Sequence, residues 1–533
     1  MAIKEIESFN HLDIKKKLLE IGKSAHCLIT ILDFVFSDCI VDLMDELNGK
    51  FPSHLGNRAF PRSMLLGVYL YCLHLHKHNL SDIARECETN NILKIFTCGE
   101  SPSQATLKRF LSNSDNLTIK KVFLYTLVQL NDLGLLKFLR AFVDGTDALV
   151  NGSKYYTLTR DEFEALELMK KWNLSHDNSF KSKNRVKIEL LRKQRIYKHD
   201  KKIFRIIGII LGRLKLYNKN TLNRIKEFKK SFNETDKDYI CISFPSAVMM
   251  PTKKGSYDFG FNIQEIMTEN NIIITGLVSQ KPNDNLIMEE VLSELKENFK
   301  ILLELVEKYG CRRNYKEIKQ LLEKAIFVFD SGYFSDDNLE SLDKHGINGL
   351  IMPKLISRQN NNKLREKNYL PTKEKNYNLK KHGKKDLIRV NNGYICKNGE
   401  KLELFEIKTI NSKKNNRKGI ADSWKEQSYI HKCSACEECT IKDNCLDNYE
   451  FKIITDRVSP LKYEMINKFT KQRYLNIYKE RFHISEGING YLKNTNGILH
   501  LLGSNKVAVK NEIHLRNTMY NLTRMKNLKG TAY

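Results

Sequence analysis

Residues 255–280 read GSYDFGFNIQEIMTENNIIITGLVSQ, and this stretch decides the fold. Two runs rich in apolar and β-branched residues flank a Glu-Asn-Asn turn at 269–271, a pattern that predicts a β-hairpin. Residues 285–308 (NLIMEEVLSELKENFKILLELVEK) then have their apolar side chains at helical spacing and predict an amphipathic helix. After a loop, AIFVFDSGY at 325–333 predicts a short buried strand.

A further strand precedes these elements. At residues 140–150 (RAFVDGTDALV), apolar β-forming residues run into Asp-Gly, which indicates a strand followed by a turn. The order along the chain is therefore strand, strand, strand, helix, strand. This order matches a mixed α/β core of the RNase H type, with insertions between its elements. Residues 1–139 have the pattern of successive short helices, so we expect an all-helical N-terminal region before the core.

These patterns divide the chain into four regions. We expect a helical region, a first part of the core, an insertion and a C-terminal helical part of the core, at residues 1–139, 140–350, 351–470 and 471–533. Within the first core part, residues 177–237 are dense in Lys and Arg and predict a basic helical insertion. Residues 353–425 are poor in apolar residues and rich in Lys and Asn, so we expect a loop-rich segment there.

The charge balance favours a nucleic-acid partner. The chain has 89 Lys and Arg against 63 Asp and Glu, a formal net charge of +26, which attracts polyanions. A Lys-rich proteome would give the same balance. Hydrophobic residues make up 41%, which argues against disorder of the whole chain. The N-terminus has no apolar signal segment, and the most apolar stretches are shorter than the roughly 20 residues of a membrane span. We therefore expect a soluble, cytoplasmic protein with no membrane partner.

One part of the N-terminal region has the pattern of a DNA-binding motif. Two short helices and a turn precede a third helix, which Ser103 could cap. This arrangement fits a helix-turn-helix motif. Its recognition helix would present Gln104, Thr106, Lys108 and Arg109 to DNA. A plain helical bundle explains the same pattern.

Two aspartates stand at the ends of predicted strands. Asp144 follows Phe142 and Val143, with Gly145 turning the chain, and Asp330 follows a Phe-Val-Phe run. A carboxylate at the carboxyl end of a buried strand lies at a sheet edge that is open to ligands. Asp-Gly is also a common turn, so a turn explains either residue taken alone.

The segment YKERFHISEGINGYLK predicts one helix and carries Tyr478, Arg481, Glu486 and Lys493. Glu486 and Lys493 are seven residues apart and share a face, but ordinary surface charges explain this spacing equally well. The three acids suit a particular chemistry. In-line cleavage of a phosphodiester uses two divalent cations about 4 Å apart, and Mg²⁺ prefers hard oxygen ligands. Nearby Tyr, Arg and Lys side chains can hold the phosphates.

In this order, the segments resemble the bacterial insertion-sequence transposases of the DDE class, in the branch with a Tyr-Arg-Glu-Lys signature and a preceding cysteine cluster. VDGT and FDSGY match the motifs of the first two acids, and Y-x2-R-x4-E-x6-K matches the signature. Further segments that resemble the family are PRSMLLGVYLY…GESPSQATLKRF, GFNIQ at 260–264 and the tail at 497–525. The chain departs from many relatives after Glu486, where Gly487-Ile488-Asn489-Gly490 replaces Pro-Val-Phe-Gly, and it has four residues between Arg481 and Glu486 where three are common.

The resemblance implies a function and a site. The protein would bind the terminal inverted repeats of its own element in double-stranded DNA, cut there and join the 3′-hydroxyl to target DNA, as a homodimer. Asp144, Asp330 and Glu486 would hold two Mg²⁺ or Mn²⁺ ions, and Tyr478, Arg481 and Lys493 would contact DNA. A stand-alone nuclease with the same core, and a catalytically silent DNA-binding protein derived from a transposase, are the alternatives.

The cysteines suggest a second metal. Of twelve cysteines, four form a C-x2-C-x2-C-x5-C cluster at Cys433, Cys436, Cys439 and Cys445. In an intracellular chain this spacing indicates a metal rather than disulfides. Four thiolates suit a tetrahedral structural Zn²⁺, while an iron–sulfur cluster and the absence of any metal are the alternatives. His431 lies close by but is not needed as a ligand.

Overall fold

A computed structural model of the chain describes residues 9–49, 59–136, 138–150, 157–160, 163–164, 219–235, 238–251, 256–311, 315–353, 387–396, 398–415, 421–440, 442–446, 450–494, 500–503 and 505–530. None of the helices within these ranges combines the length and the apolar composition that a membrane crossing requires.

The N-terminal part is helical, as the sequence predicts. Ser103 caps its helix as expected, because its side chain accepts a hydrogen bond from the Thr106 backbone N–H at 3.3 Å. Asp115 caps the following helix in the same way, through the Thr118 N–H at 3.2 Å. The helices are α1 His11–Ile21, α2 His26–Val35, α3 Asp38–Gly49, α4 Arg62–His74, α5 Leu80–Thr89, α6 Asn91–Phe96, α7 Gln104–Asn113 and α8 Asn116–Asp132.

A mixed seven-stranded sheet forms the centre of the molecule. Its main path runs β4-β5-β1-β7-β8, with β6 also paired to β5 and β14 to β1. β7 and β14 run parallel to β1, β8 runs parallel to β7, and the other pairs are antiparallel. The strands are β1 Arg140–Val150, β4 Val248–Pro251, β5 Tyr257–Thr268, β6 Ile273–Ser279, β7 Ile326–Phe329, β8 Gly349–Ile351 and β14 His500–Leu501.

The predicted hairpin, helix and buried strand are confirmed. β5 and β6 pair around a turn in which Asn271 has a positive φ of 57°, a conformation that Asn tolerates better than most residues. The amphipathic segment forms α10 (Met288–Tyr309), and β7 follows it after α11 (Tyr315–Lys324). The helices around the sheet are α9 Lys219–Thr235, α10 Met288–Tyr309, α11 Tyr315–Lys324, α12 Asp336–His345, α15 Gln472–Asn494 and α16 Lys506–Gly530.

Helices lie on both faces of this sheet. On one face, α10 contacts β6, and Ser279 donates a hydrogen bond to Glu290 of α10 at 2.8 Å. On the other face, α15 contacts β1 and β7, and α16 contacts β6 through Asn517, which lies against Gly276. Successive residues of a strand point to opposite faces of the sheet. The position of a residue in this alternation therefore determines which helices its side chain faces.

The prediction that the chain turns at Gly145 is wrong. β1 continues through this residue to Val150, because β5 pairs with it without interruption from Ala141 to Leu149. A continuous ladder of backbone hydrogen bonds overrides the turn preference of the Asp-Gly pair. Asp144 therefore lies within a strand and not at its end. The parallel partner β7 is the strand that ends at this level, at Phe329.

The prediction of a loop-rich segment at 353–425 is also wrong in the part that the structure describes. A second sheet, in the order β13-β12-β11-β10-β9, occupies most of residues 388–458. The composition hid the alternation of apolar and charged residues in KLELFEIK at 401–408, which has the strand period of two. The elements are β9 Ile388–Val390, β10 Gly393–Ile395, β11 Lys401–Asn415, β12 Ala421–Cys433, α13 Lys442–Cys445, β13 Ile453–Val458 and α14 Pro460–Lys468.

A small two-stranded antiparallel sheet of β2 Thr157–Thr159 and β3 Tyr239–Cys241 packs with α9 in a small core of its own. Of the predicted basic insertion at 177–237, the structure describes α9, whereas residues 177–218 lie outside the described ranges. The main hydrophobic core is continuous from the N-terminal helices through the seven-stranded sheet to α16. Residue 139 therefore separates two regions of sequence that share one core.

Candidate active site

Asp144 and Asp330 lie side by side on neighbouring parallel strands. β1 and β7 pair with Phe142 opposite Val328, so continuing this register by two residues places Asp144 opposite Asp330. Neighbouring strands are about 4.8 Å apart, which brings the two carboxyl groups to adjacent positions. Asp330 is the first residue after β7, and its carboxylate accepts a hydrogen bond from the Ser331 N–H at 2.7 Å.

Two side chains of α15 contact both aspartates. Tyr478 and Arg481 are three residues apart, so they project from the same side of the helix. Arg481 Nη2 lies 2.8 Å from Asp144 Oδ1, and its Nη1 lies 3.5 Å from Asp330 Oδ1. The Tyr478 hydroxyl donates to Asp330 Oδ1 at 3.2 Å. Arg481 is 7% exposed, so it forms a buried bridge between the two acids.

A second arginine fixes α15 to the sheet. Arg140, at the start of β1, lies with its Nε 2.6 Å from Glu269 in the β5–β6 turn. Its Nη1 lies 2.7 Å from Glu480 of α15, next to Arg481 in the chain. The motifs of the sequence do not point to Arg140. Its position at the first residue of a predicted strand was the only signal, because its partners lie far away in the chain.

The environment raises the pKa of Asp144 and of Tyr478. Burial raises the pKa of Asp144 above its usual value, and the negative charge of Asp330 adds to this, although Arg481 lowers it. Burial and the charge of Asp330 raise the pKa of Tyr478 to about 12. Tyr478 therefore keeps its proton at neutral pH and acts as a donor to Asp330. The Asp144 carboxylate is only partly compensated by Arg481, which is a property expected of a cation-binding group.

The remaining two predicted residues of the signature also belong to α15. Glu486 lies five residues after Arg481, about 7.5 Å further along the helix axis at 1.5 Å per residue. Lys493 lies two turns beyond Glu486 on the same helix. The structure describes the backbone of both residues but not their side chains.

A polar network lies behind the two aspartates, on the opposite face of the sheet. The Tyr333 hydroxyl donates to Gln264 Oε1, and Gln264 Nε2 donates to Asp284 at 2.9 Å and to Asn262 at 2.7 Å. This network joins the turn after Asp330 to β5. A Cβ at Gly145 would overlap Gln264 Nε2, so only glycine leaves room for this amide beside Asp144. The three segments VDGT, GFNIQ and FDSGY thus meet in one place.

Glu265 is an acidic residue that the sequence analysis missed. It is fully buried on β5 and directly opposite Asp144. Burial raises its pKa to about 8, and the charge of Asp144 acts in the same direction, while the Asn517 amide opposes the shift. A glutamate within the apolar run FNIQEIMT was the available signal, since a strand buried on both faces rarely carries an acid.

The oxygen donors at this site fit a hard divalent cation. Asp144 and Asp330 present carboxylate oxygens, which Mg²⁺ and Mn²⁺ prefer, and the positive guanidinium of Arg481 already lies between them. Among the described side chains, no three His, Cys, Asp or Glu groups are gathered as a metal site. The third predicted acid, Glu486, is outside that comparison because its side chain is not described.

The four predicted zinc ligands lie at the end of β12 and just beyond it. Cys433 and Cys436 are 3% and 5% exposed and pack with Leu402 in the core of the second sheet. Burial and a hydrogen bond with Cys436 raise the pKa of Cys433 to about 12. Cys439 accepts a contact from the Asn398 amide at 3.5 Å, and Cys445 ends α13.

A fifth thiol, Cys396, lies beside this cluster, because it packs against the same core as Cys433 and Cys436. Sequence spacing could not reveal it, since it comes from the loop after β10. His431 is fully buried between Tyr394 and Tyr463, and the hydroxyl of Tyr463 lies 3.2 Å from its Nε2. It therefore packs within the second sheet.

The predicted DNA-reading residues lie at the start of α7. Gln104, Lys108 and Arg109 are exposed, whereas Leu107 and Phe110 are buried on the opposite side of the helix. Thr106 is half-buried, and its hydroxyl lies 3.1 Å from that of the capping Ser103. α7 packs against α5 and α16 through its apolar side and leaves its polar side open.

Comparison with known proteins identifies the family. The family model described as "Transposase DDE domain" matches residues 251–522, which is half of the chain. The match includes Asp330 and the whole of α15, and it begins after β1 and Asp144. None of the curated proteins compared with the chain matches it. The chain therefore belongs to the family of transposases with a DDE domain.

Proposed function

We propose that this protein binds the terminal inverted repeats of its own insertion sequence, cuts the DNA there and joins the freed 3′-hydroxyl to target DNA. The observation that carries this proposal is the pair of Asp144 and Asp330 on adjacent strands, bridged by Arg481 from the helix that also holds Glu486. The proposal places the chain in the branch with a Tyr-Arg-Glu-Lys signature and a cysteine cluster.

The proposed fold is that of an RNase H-like core. The sheet order β6-β5-β1-β7-β8, with an antiparallel first half and a parallel second half, supports this assignment. Helices on both faces cover the sheet, as an α/β core requires. The two acids then stand where the parallel half begins, which is a usual place for a ligand site in open α/β sheets.

The proposed metal ligands are Asp144, Asp330 and Glu486, which would together hold two Mg²⁺ or Mn²⁺ ions. When bound, such a pair supplies an activated nucleophile and stabilises the leaving oxygen of an in-line displacement. We assign Arg481 two roles, in pairing with the aspartates and in contacting the phosphates. Its guanidinium pairs with the two aspartates in the structure and would turn towards the phosphates if cations were bound by these acids. Tyr478 holds Asp330 in position through its hydroxyl.

The proposed DNA contacts involve two regions. The exposed polar side of α7, with Gln104, Lys108 and Arg109, supports a helix-turn-helix reader in which Thr106 also contributes. Tyr478, Arg481 and Lys493 would contact DNA near the acids. The net charge of +26 supports binding of a polyanion. Joining two ends of one element requires two active sites, so we propose a homodimer on DNA.

We also propose that Cys433, Cys436, Cys439 and Cys445 bind one structural Zn²⁺. Their thiols are of the type that Zn²⁺ prefers, and Cys433 and Cys436 pack together in the core of the second sheet, although no three thiols among the described side chains are gathered as a metal site. Metal analysis of the purified chain should give one Zn²⁺ per molecule, and less after Cys433→Ser. An unchanged zinc content in this variant, or iron in place of zinc, would contradict the assignment.

Cleavage of DNA that carries both ends of the element tests the proposed function. With Mg²⁺ the wild type should release the ends and join them to a second DNA, and Asp330→Asn should lose at least about a thousandfold in rate, because a metal-bound carboxylate is removed. Asp337→Asn, an exposed acid of α12, is the matched control. Cutting without joining would identify a stand-alone nuclease. Binding without cutting would identify a silent DNA-binding protein, and equal products from both variants would refute the metal site.

A further inference from the structure

Glu265 stands in a row of three acids that crosses the sheet. It is the direct cross-strand partner of Asp144, and Asp144 lies opposite Asp330 when the parallel register is continued. Direct partners on neighbouring strands point to the same face. The three carboxyl groups therefore project from β7, β1 and β5 towards the side of the sheet that α15 and α16 cover.

The carboxyl group of Glu265 is buried and, among the described residues, has only the Asn517 amide as a polar contact, without a hydrogen bond of ordinary geometry. The residue is 0% exposed, and neither of its oxygens makes a hydrogen bond of ordinary geometry. The side chain faces the amide of Asn517 on α16, whose nitrogen and oxygen also lack partners. Gln or Leu would fill the same space without removing a carboxyl group from water. The stability of the fold therefore does not account for an acid here.

The charged neighbour of Glu265 within the described residues is another acid. Asp144 acts on it as a negative charge, while Arg481 engages Asp144 and Asp330 instead. Arg481 is itself incompletely satisfied, because its Nε is buried without a partner. Asp144 and Glu265 are thus adjacent acids, and such a pair favours a bound cation between them.

The three acids do not converge on one point, since no three such groups among the described side chains are gathered as a metal site, but the spacing of the row fits two cations that each bridge a neighbouring pair of acids. Three carboxyl groups on successive strands leave two gaps whose centres are about 4.8 Å apart, the distance between neighbouring strands. Two-metal sites for phosphoryl transfer hold their ions about 4 Å apart. The Arg481 guanidinium lies in the first gap, between Asp330 and Asp144. The second gap lies between Asp144 and Glu265.

We propose that Glu265 is a fourth acid of the divalent-cation site and binds the cation on the β5 side of Asp144. Its ligand is a hard divalent cation, Mg²⁺ or Mn²⁺, which prefers carboxylate oxygens. This inference rests on the proposed function, since it adds a residue to the same site.

Mn²⁺ binding to the full chain, measured by calorimetry without DNA, tests the inference apart from activity. Glu265→Gln keeps the volume of the side chain and removes its charge, and it should raise the Kd for Mn²⁺ about tenfold or more. Glu290→Gln removes a carboxylate from the other face of the sheet, where it meets Ser279 and Lys281, and should leave the Kd unchanged. Thermal unfolding confirms that each variant is folded.

The outcomes separate this inference from the proposed function. If the wild type binds no Mn²⁺, or Asp330→Asn binds as well as the wild type, the proposed metal site fails. If Asp330→Asn loses binding but Glu265→Gln matches the wild type within twofold, only the role of Glu265 is refuted. Should Glu265→Gln not fold, Glu265→Asp replaces it in the same measurement. The shorter acid should weaken Mn²⁺ binding at least threefold, and an unchanged Kd would refute the role.

Discussion

At the scale of single residues, the site is a set of acids held by one arginine. The order of the motifs and the residues next to each acid pointed to Asp144 and Asp330, because each stands in a short motif next to an apolar run. The ion pairs of Arg481 with both acids could not be predicted, since they join residues more than 140 positions apart. Tyr478 and Arg481, three residues apart, lie on the same side of the helix, and both contact Asp330.

Gly145 is packed so closely against Gln264 that a side chain there would displace the Gln264 amide. A Cβ there would overlap Gln264 Nε2 and lie 3.1 Å from Asp284, so Gly145→Ala should break the network that joins β5 to the turn after Asp330. We expect a loss of about 1–3 kcal/mol in the free energy of unfolding, which is typical of overpacking. Urea denaturation measures it.

The matched control for this prediction lies beside the other aspartate. A Cβ at Gly332 would have its nearest neighbour at 3.9 Å, an ordinary contact, so Gly332→Ala should change the stability little. Equal unfolding midpoints for the two variants would show that the Gln264 network does not require a glycine beside Asp144.

At the scale of elements, the sequence predicted the hairpin, the long amphipathic helix and the buried strand, because each has a clear period of its own. It failed for β1 beyond Gly145, where pairing with β5 overrides a turn preference. It also failed for β11, where a polar composition hid an alternating pattern. In both cases the neighbouring strand, and not the local sequence, decides the structure.

The C-terminal helix α16 makes the stability depend on pH. His514 is fully buried on it and stacks on Phe123 at 5.9 Å. Burial, with the positive charges of Lys120 and Lys510, lowers the pKa of His514 from 6.5 to about 3. Below pH 6.5 the unfolded chain therefore binds a proton that the folded protein does not bind. This contribution to stability is complete above pH 6.5 and is lost as the pH falls towards 3.

We expect the free energy of unfolding to fall by up to about 1.4 kcal/mol per pH unit below pH 6.5 from this histidine alone. His514→Gln should lack this component, so the curves of the wild type and the variant should converge or cross as the pH falls. His483→Gln, at an exposed position on α15, should follow the wild type. Parallel curves for wild type and His514→Gln would contradict the assignment.

At the scale of the whole molecule, the N-terminal helices and the sheet share one hydrophobic core. Asn511 of α16 donates to the backbone carbonyls of Leu111 and Ser114 at 2.8 and 2.9 Å, so the last helix ties α7 and α8 to the sheet. Composition and local pattern place a boundary near residue 139, but they cannot show that distant segments complete the same core.

Removal of α16 should therefore unfold more than the C-terminus. A chain that ends at residue 494 should lose the unfolding transition of the N-terminal helices together with that of the sheet, because both pack on α16. Calorimetry of the truncated and full chains measures this. A truncated chain that keeps a cooperative transition and a helical signal from residues 9–136 would show that the N-terminal region folds by itself.

Asp144 and Asp330 are proposed to form a divalent-cation site, and in the structure Arg481 pairs with both acids. The most direct measurement is an anomalous diffraction map from crystals of the full chain soaked with Mn²⁺. If these acids bind the cation, we expect a Mn²⁺ peak in contact with the carboxylates of Asp144 and Asp330, with the guanidinium of Arg481 moved away from Asp144. A map without Mn²⁺ at either carboxylate, and with Arg481 still paired to Asp144, would contradict it.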